Sequence, residues 1–421
     1  MGKKRRNNNK ADRDDYAFAP MRQQSSQQSS RFDVNLEDDE ESFASNSCDE
    51  DLQSVVSDFG YDGTGNVMNR MDEYIDHTLD KRDSVRILGL NCLIGLLRKE
   101  YIGMDLLKWK STIIDVIDKF LKKGGDEGVR AANLAALFSL QLGNELKDEI
   151  EELLSFMRKI CADSSQYGLL RLQCIISLTI CTIFSTAELQ SINESLTILR
   201  NLWINTKTNA PLIALFCTAI ENWILLVAFN WHISLQSALL DQPKLSSFID
   251  GSQARMRISA GEVLAVLHEM AVSHFGTEYR FANQQNLLEK FATLSTSSAK
   301  YIGKKDRRTQ KFSFRQLYNY IEEQEAPSFT IKFGKEALNL DSCKKKLLYD
   351  ICCGILCEGM NAHLKSNPFL RESFDLEAIQ INVSLRLTKT ERMAAYKTSN
   401  KLRSMQRQKK RDKRISINDT G

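Results

Sequence analysis

The sequence predicts an all-α protein, built for most of its length as a solenoid of paired helices. Three features of the chain point there. Only five prolines occur in 421 residues, at Pro20, Pro211, Pro243, Pro327 and Pro368, so long stretches run free of the residue that breaks a helix. From about Val67 onward, apolar residues recur at helical spacing between short polar turns. Five of these segments also superpose: aligned on Arg86, Arg130, Arg171, Ile213 and Arg257, they step by 44, 41, 42 and 44 residues. A period in the forties with two helices per unit is that of armadillo and HEAT arrays, in which each unit exposes an apolar face that only its neighbours cover.

Residues 1–66 read as a disordered arm. A basic start (Lys3 to Arg6) and a Gln/Ser run (Gln23 to Ser30) precede a stretch from Phe32 to Asn69 with eleven acids and no Lys or Arg. Low hydrophobicity with charge of one sign cannot offset the entropy of ordering. Two readings stand for it: a solubilising tail, or a regulatory arm that competes with nucleic acid for the basic C-terminus.

Residues 67–300 are expected to form the solenoid. Its repeated helices are "DSVRILGLNCLIGLL" (83–97), "EGVRAANLAALFSLQL" (127–142), "GLLRLQCIISLTI" (168–180), "APLIALFCTAIENWI" (210–224) and "ARMRISAGEVLAVL" (254–267). The small residues after the repeat arginine, such as Ala131, Ala132, Ser259 and Ala260, suit a helix packed closely on the next unit. The arginine itself is expected to cross the junction between units and pair with an acid of a first turn, Asp83 or Glu127.

Residues 301–380 break the rhythm. "FRQLYNYIEEQE" is helical up to Pro327, "SFTIKF" alternates apolar residues, Gly334 turns the chain, and "ALNL" returns as the second strand of a short hairpin. One helix from about Ser342 to Lys365 is expected next, with another restarting through Asn367 and Pro368.

Catalytic signatures are missing. There is no GxxxxGK[ST] loop, GxSxG elbow or HExxH pair, and Gly60, Gly63 and Gly65 lie in the acidic arm with no strand before them. The five histidines (His77, His232, His268, His274, His363) are isolated from one another, and the ten cysteines form no CxxC pair. They read as structural or surface histidines and reduced intracellular thiols. No catalytic residue, cofactor, metal or small-molecule substrate is expected. The apolar runs "LQCIISLTICTIF" (172–184) and "PLIALFCTAIENWILLVAF" (211–229) are respectively too short and interrupted by Glu221 and Asn222, so they read as core helices rather than membrane spans.

Residues 381–421 concentrate charge. Between Ile381 and Arg414 stand Arg386, Lys389, Arg392, Lys397, Lys401, Arg403, Arg407, Lys409, Lys410, Arg411, Lys413 and Arg414 against Glu391 and Asp412, a local balance of +10 in a chain whose formal charge is +3. On a helix these cations occupy nearly the whole circumference, leaving a thin apolar line of Leu387, Ala394, Leu402 and Met405. A membrane-surface helix segregates its charges from a broad apolar face. A helix charged all round fits where phosphates surround it, as in an RNA-lined channel. The alternatives are a solvated tail or a nuclear import signal. A second basic patch, phosphate-facing or simply solvated, is formed by Lys304, Lys305, Arg307, Arg308, Lys311, Lys344, Lys345 and Lys346.

The run 306–376 resembles the C-terminal region of the interferon-related developmental regulator family. The residues that carry this are "DRRTQKFSFRQ", "TIKFG", "KKKLLYD", "GMNAHLKSNPFLR" and "FDL", continued in the tail by Glu391 and Arg392, "YKTS" and "RDKR". With "TLDKR" (78–82), "LKKG" (121–124) and "MRISAGEVLAVLHE" (256–269), the similarity spans about residues 68–414. The resemblance implies a non-catalytic armadillo-type solenoid. It also implies a role in transcriptional co-regulation or on ribosomes, where the C-terminal helix occupies the mRNA path and silences translation. Two functions are therefore expected: a regulator that binds ribosomes and rRNA and represses translation, or a nuclear scaffold holding co-regulator proteins in the solenoid groove. Either gives a cytoplasmic and nuclear protein.

Overall fold

Helices follow the apolar repeat in pairs. In the computed structural model, which describes residues 67–186, 188–206, 212–296, 303–324, 328–378 and 393, the pairs are α1 (Val67–Thr78) with α2 (Asp83–Lys99), α3 (Lys110–Lys123) with α4 (Gly125–Leu142), α5 (Lys147–Ala162) with α6 (Gly168–Ser185) and α7 (Leu189–Asn205) with α8 (Ile213–Phe229). The fifth unit splits its first helix into α9 (Trp231–Leu240) and α10 (Gln242–Ser247) before α11 (Ala254–Phe275), and α12 (Gln284–Thr296) pairs with α13 (Lys304–Glu323). The second helix of each pair packs on its counterparts in the neighbouring units, giving one inner row of α2, α4, α6, α8, α11 and α13. Along the other side, α3 packs on α5 and α5 on α7. The expected α-solenoid is the observed fold.

Side-chain size explains the inner row. Ala131, Ala132, Ala135 and Ala136 of α4 are all buried, and the Ser177 hydroxyl of α6 donates to the Ala132 carbonyl at 2.6 Å. Small residues let the two backbones come close enough for that bond. Helix α6 has the length and composition of a membrane span, at 18 residues rather than the 13 of its apolar run, yet it is packed between α4, α5, α7 and α8.

Arg86, Arg130 and Arg257 reach across junctions between units as expected, whereas Arg171 bonds within its own pair, and carbonyl and amide oxygens serve beside acids. Arg86 matches the ion-pair expectation, reaching Glu127 of the next unit at 2.7 Å and also pairing with Asp83 of its own helix. Arg130 donates to Asn91 Oδ1 at 2.8 Å, Arg171 to the Cys161 carbonyl at 2.9 Å, and Arg257 to the carbonyls of Gly251 and Ser252 and to Gln310 on α13. Neutral carbonyls serve because they are the unsatisfied acceptors that helix ends and turns leave behind.

Beyond α13 the chain makes the expected hairpin, β1 (Phe329–Phe333) antiparallel to β2 (Glu336–Leu340), with Ile331 opposite Leu338 and Gly334 turning at φ 65°. Then follow α14 (Cys343–Leu356), one 3₁₀ turn (Cys357–Gly359), α15 (Met360–Ser366) and α16 (Pro368–Ser373). The single helix expected from Ser342 to Lys365 is thus two helices. Cys357 takes a left-handed φ of 50°, which turns the chain and sets Gly359 directly against the Arg98 carbonyl at the end of α2.

This C-terminal segment lies along the inner row. Helix α14 packs on α2, α4, α8 and α11, α15 on α2, and α16 on α4. The chain divides into two units, Met1–Glu377 and Ala378–Gly421, and everything described above belongs to the first.

Candidate nucleic-acid interface

The twelve cations from Arg386 to Arg414 and the acidic arm lie outside the described residues. The second patch is largely within them, and its two halves differ. Lys304 and Lys305 open α13, followed by half-buried Arg307 and Lys311 and exposed Arg308. The buried face of α13 carries Gln310, Phe314, Leu317 and Ile321, so the basic residues flank or oppose the contact with the solenoid. Among the described residues, Arg307, Arg308 and Lys311 form no ion pair.

At the start of α14 the lysines are used internally. Lys345 bridges Asp341 and Asp375, both at 3.1 Å, and Lys346 bridges Glu262 at 3.3 Å and Asp350 at 3.4 Å. Lys344 lays its ammonium 4.2 Å above the Phe229 ring, and its backbone N–H donates to Glu269. Burial holds the Lys344 ammonium below the ordinary lysine range and pushes the Glu269 carboxyl upward. Lys345 and Lys346 thus fasten α14 to the hairpin end and to α11. A crevice of about 40 Å³ between α11, α13 and α14, bordered by Glu262, Tyr320, Lys346 and Asp350, is large enough for a water and too small for a base.

A polar seam at the other end of α14 was not legible as such. The Arg98 guanidinium donates to the Ile355 carbonyl at 2.8 Å. His363 Nε2 bonds the Leu97 carbonyl at 3.0 Å, and Asn367 donates to the Leu140 carbonyl at 2.7 Å while its Oδ1 accepts from the N–H groups of Phe369 and Leu370. Phe369 fills the space that a side chain at Gly143 would need. Arg371, 4 % exposed, donates to the carbonyls of Leu364 and Glu377 and to Glu336 at 2.6 Å. The string "GMNAHLKSNPFLR" was the signal available for these residues: it binds the segment to the first two helix pairs.

Sequence comparison matches this chain to known proteins. The family model "Interferon-related developmental regulator (IFRD)" matches residues 34–322, and "Interferon-related protein conserved region" matches residues 367–415. The chain belongs to the interferon-related developmental regulator family. Interferon-related developmental regulator 1 of Sus scrofa and that of Homo sapiens are each 29 % identical over 363 residues, covering 82 % of this chain and 80 % of theirs. Interferon-related developmental regulator 2 of Mus musculus is 28 % identical over 372 residues, covering 82 % of this chain and 83 % of its own. The second family match takes in the His363–Arg371 seam from Asn367 onward and runs through the basic tail.

Proposed function

We propose that this protein binds ribosomal RNA and represses translation by seating its basic C-terminal segment in the path of mRNA or tRNA, without catalysing a reaction. The observation that carries this is the +10 balance of residues 381–414, a sequence that on a helix would leave no broad apolar face. Membership of the family supports it. Surrounded by phosphates, each cation releases counterions from the nucleic acid, and the segment blocks passage by occupying the space. The solenoid serves as the rigid body that docks on the particle, and Arg307, Arg308 and Lys311 add phosphate contacts at its end. Cytoplasmic action with nuclear passage follows from the basic runs.

The alternative, a nuclear scaffold that holds co-regulator proteins in the solenoid groove, has a competitor within the chain. Helices α14–α16 already lie along α2, α4, α8 and α11, on the row such a groove offers. Translation repression is therefore the better-supported reading.

The test is titration of purified ribosomes with the full chain and with a form ending at residue 385, at several salt concentrations, with both added to a translation extract. If about six cations meet phosphates, the log–log salt slope of the full chain is on the order of −4 to −5 and the truncated form loses most of it. Equal slopes and equal inhibition by the two forms would reduce the tail to a localisation signal and favour the scaffold.

A further inference from the structure

An exposed strip of aromatic rings runs from the first residue of α9 across the C-terminal end of α11, on residues outside the polar seam and the α13 patch. Trp231 and Phe275 are 44 % and 50 % exposed, far above what a large apolar ring has in a settled core. They are joined through His274, whose ring lies 5.4 Å from Trp231 and 4.6 Å from Phe275, and Phe275 stacks on Tyr279 at 5.4 Å with the planes 22° apart. Beneath Tyr279 the contacts continue into buried Phe281 and His268, so the strip is anchored in the core.

Two cations flank it, with the Glu269 carboxylate behind the second. Arg280 is exposed and fixed by donating to the carbonyls of Thr277 and Tyr279 at 2.7 and 2.8 Å. Lys344 sits over Phe229, two residues before Trp231. His232 stacks edge-on to Trp231 at 5.9 Å, and Glu278 is the one acid between Gly276 and Phe281. Flat π-faces held rigidly beside Arg and Lys form the surface that unpaired nucleobases recognise, because every base presents a π-face while the cations meet its phosphates.

We propose that Trp231, His274, Phe275 and Tyr279, with Arg280 beside Tyr279 and Lys344 over the adjoining Phe229, form a stacking platform for single-stranded RNA. This rests on the reading of the chain as an RNA binder and gives it a second contact, independent of the tail. Stacking differs from tail binding in kind: it selects single strands over duplexes and contributes little to the salt slope.

The experiment measures anisotropy of a fluorescein-labelled single-stranded RNA of about 12 nucleotides, and of a duplex of the same length, against full-length proteins at several salt concentrations. Four forms are compared: the natural chain, Trp231→Ala with Phe275→Ala, Trp231→Phe, and a full-length tail variant with Lys409, Lys410, Arg411, Lys413 and Arg414 changed to Gln. The double alanine variant is expected to weaken single-strand binding at least about fivefold with the salt slope unchanged, and Trp231→Phe to keep the natural affinity. Unchanged single-strand affinity in the alanine variant, at unaltered thermal stability, overturns the platform. A tail variant that loses slope while the alanine variant binds normally sinks the platform and leaves the tail reading standing. The reverse pattern keeps the platform and removes the tail from RNA binding.

Discussion

Single buried polar side chains fix this solenoid at points that hydrophobic pattern cannot reach. Gln141 is wholly buried, donates to the carbonyls of Leu97 and Glu100 at 3.0 and 2.7 Å, and accepts from the N–H groups of Ile102 and Gly103. It satisfies four backbone groups at the end of α2. Gln141→Leu, of similar volume, strands them and is expected to cost about 2 to 4 kcal/mol, measured by chemical denaturation. Arg257→Ala removes a donor from Gly251, Ser252 and Gln310 and is expected to cost about 1 to 3 kcal/mol, with RNA affinity unchanged. Lost RNA binding at unchanged thermal stability would show instead that this arginine meets ligand. His268 is 1 % exposed among Tyr279, Phe281 and Tyr320, and burial, helped by nearby Arg280, lowers its pKa to about 4. The unfolded chain then binds a proton that the folded chain refuses. The contribution is fully present above the unfolded value near 6.5 and is lost as pH falls toward 4, by up to about 3 kcal/mol. Denaturation at pH 7 and pH 4.5 should show that loss in the natural protein and a smaller one in His268→Phe; equal losses would remove His268 from the account.

At the scale of elements, the C-terminal segment is held by a few close approaches. A Cβ on Gly359 falls 1.7 Å from the Arg98 carbonyl oxygen, a clash with backbone that no rotamer relieves. Gly359→Ala is therefore expected to release α14, α15 and α16 while the helix pairs stay folded, because the apolar core of the solenoid is continuous without them. Hydrogen exchange should rise in residues 343–373 and stay low in α4 and α6; uniform protection across the chain would mean that the segment tolerates the residue. Asn367→Ala is expected to act in the same direction but less strongly, losing the cap of α16 and the bond to Leu140. The outer helices carry ion pairs between successive units, Lys110 to Glu149, Arg158 to Glu194 and Arg200 to Asp241, all within 2.9 Å. Their separations near forty residues were a second trace of the repeat, written in charge instead of apolar pattern.

For the whole molecule, the inner row of the solenoid is partly used by the chain itself. A partner seeking that row must compete with a segment tethered in place, whose effective concentration is far above that of a free competitor. Binding by the scaffold route is therefore expected to strengthen in Gly359→Ala, whereas binding through the tail and the aromatic strip is not. Pull-down of protein partners by the two forms, alongside RNA titration, separates these outcomes. Increased RNA affinity in the released form would show that α14–α16 mask an RNA-binding face.

The repeat was legible because each unit leaves the same apolar face to its neighbours, so similar residues recur at Arg86, Arg130, Arg171 and Arg257. The hairpin was legible too, since alternation around Gly334 admits one pairing. By itself the sequence determined the solenoid, its approximate period, the hairpin and the charge of the tail. Tertiary structure decided the partners of the repeat arginines, because a guanidinium takes whichever acceptor the packing brings near, carbonyl or acid. It also decided that the helix after Ser342 breaks at Cys357. It separated the two halves of the basic patch, leaving Arg307, Arg308 and Lys311 on α13 and giving Lys345 and Lys346 acids to hold. The same holds for the gathering of Trp231 with His274 and Phe275: residues more than forty positions apart meet only because α9 packs on α11. Local sequence carries helix propensity and charge, but which side chains face one another is fixed by packing between units.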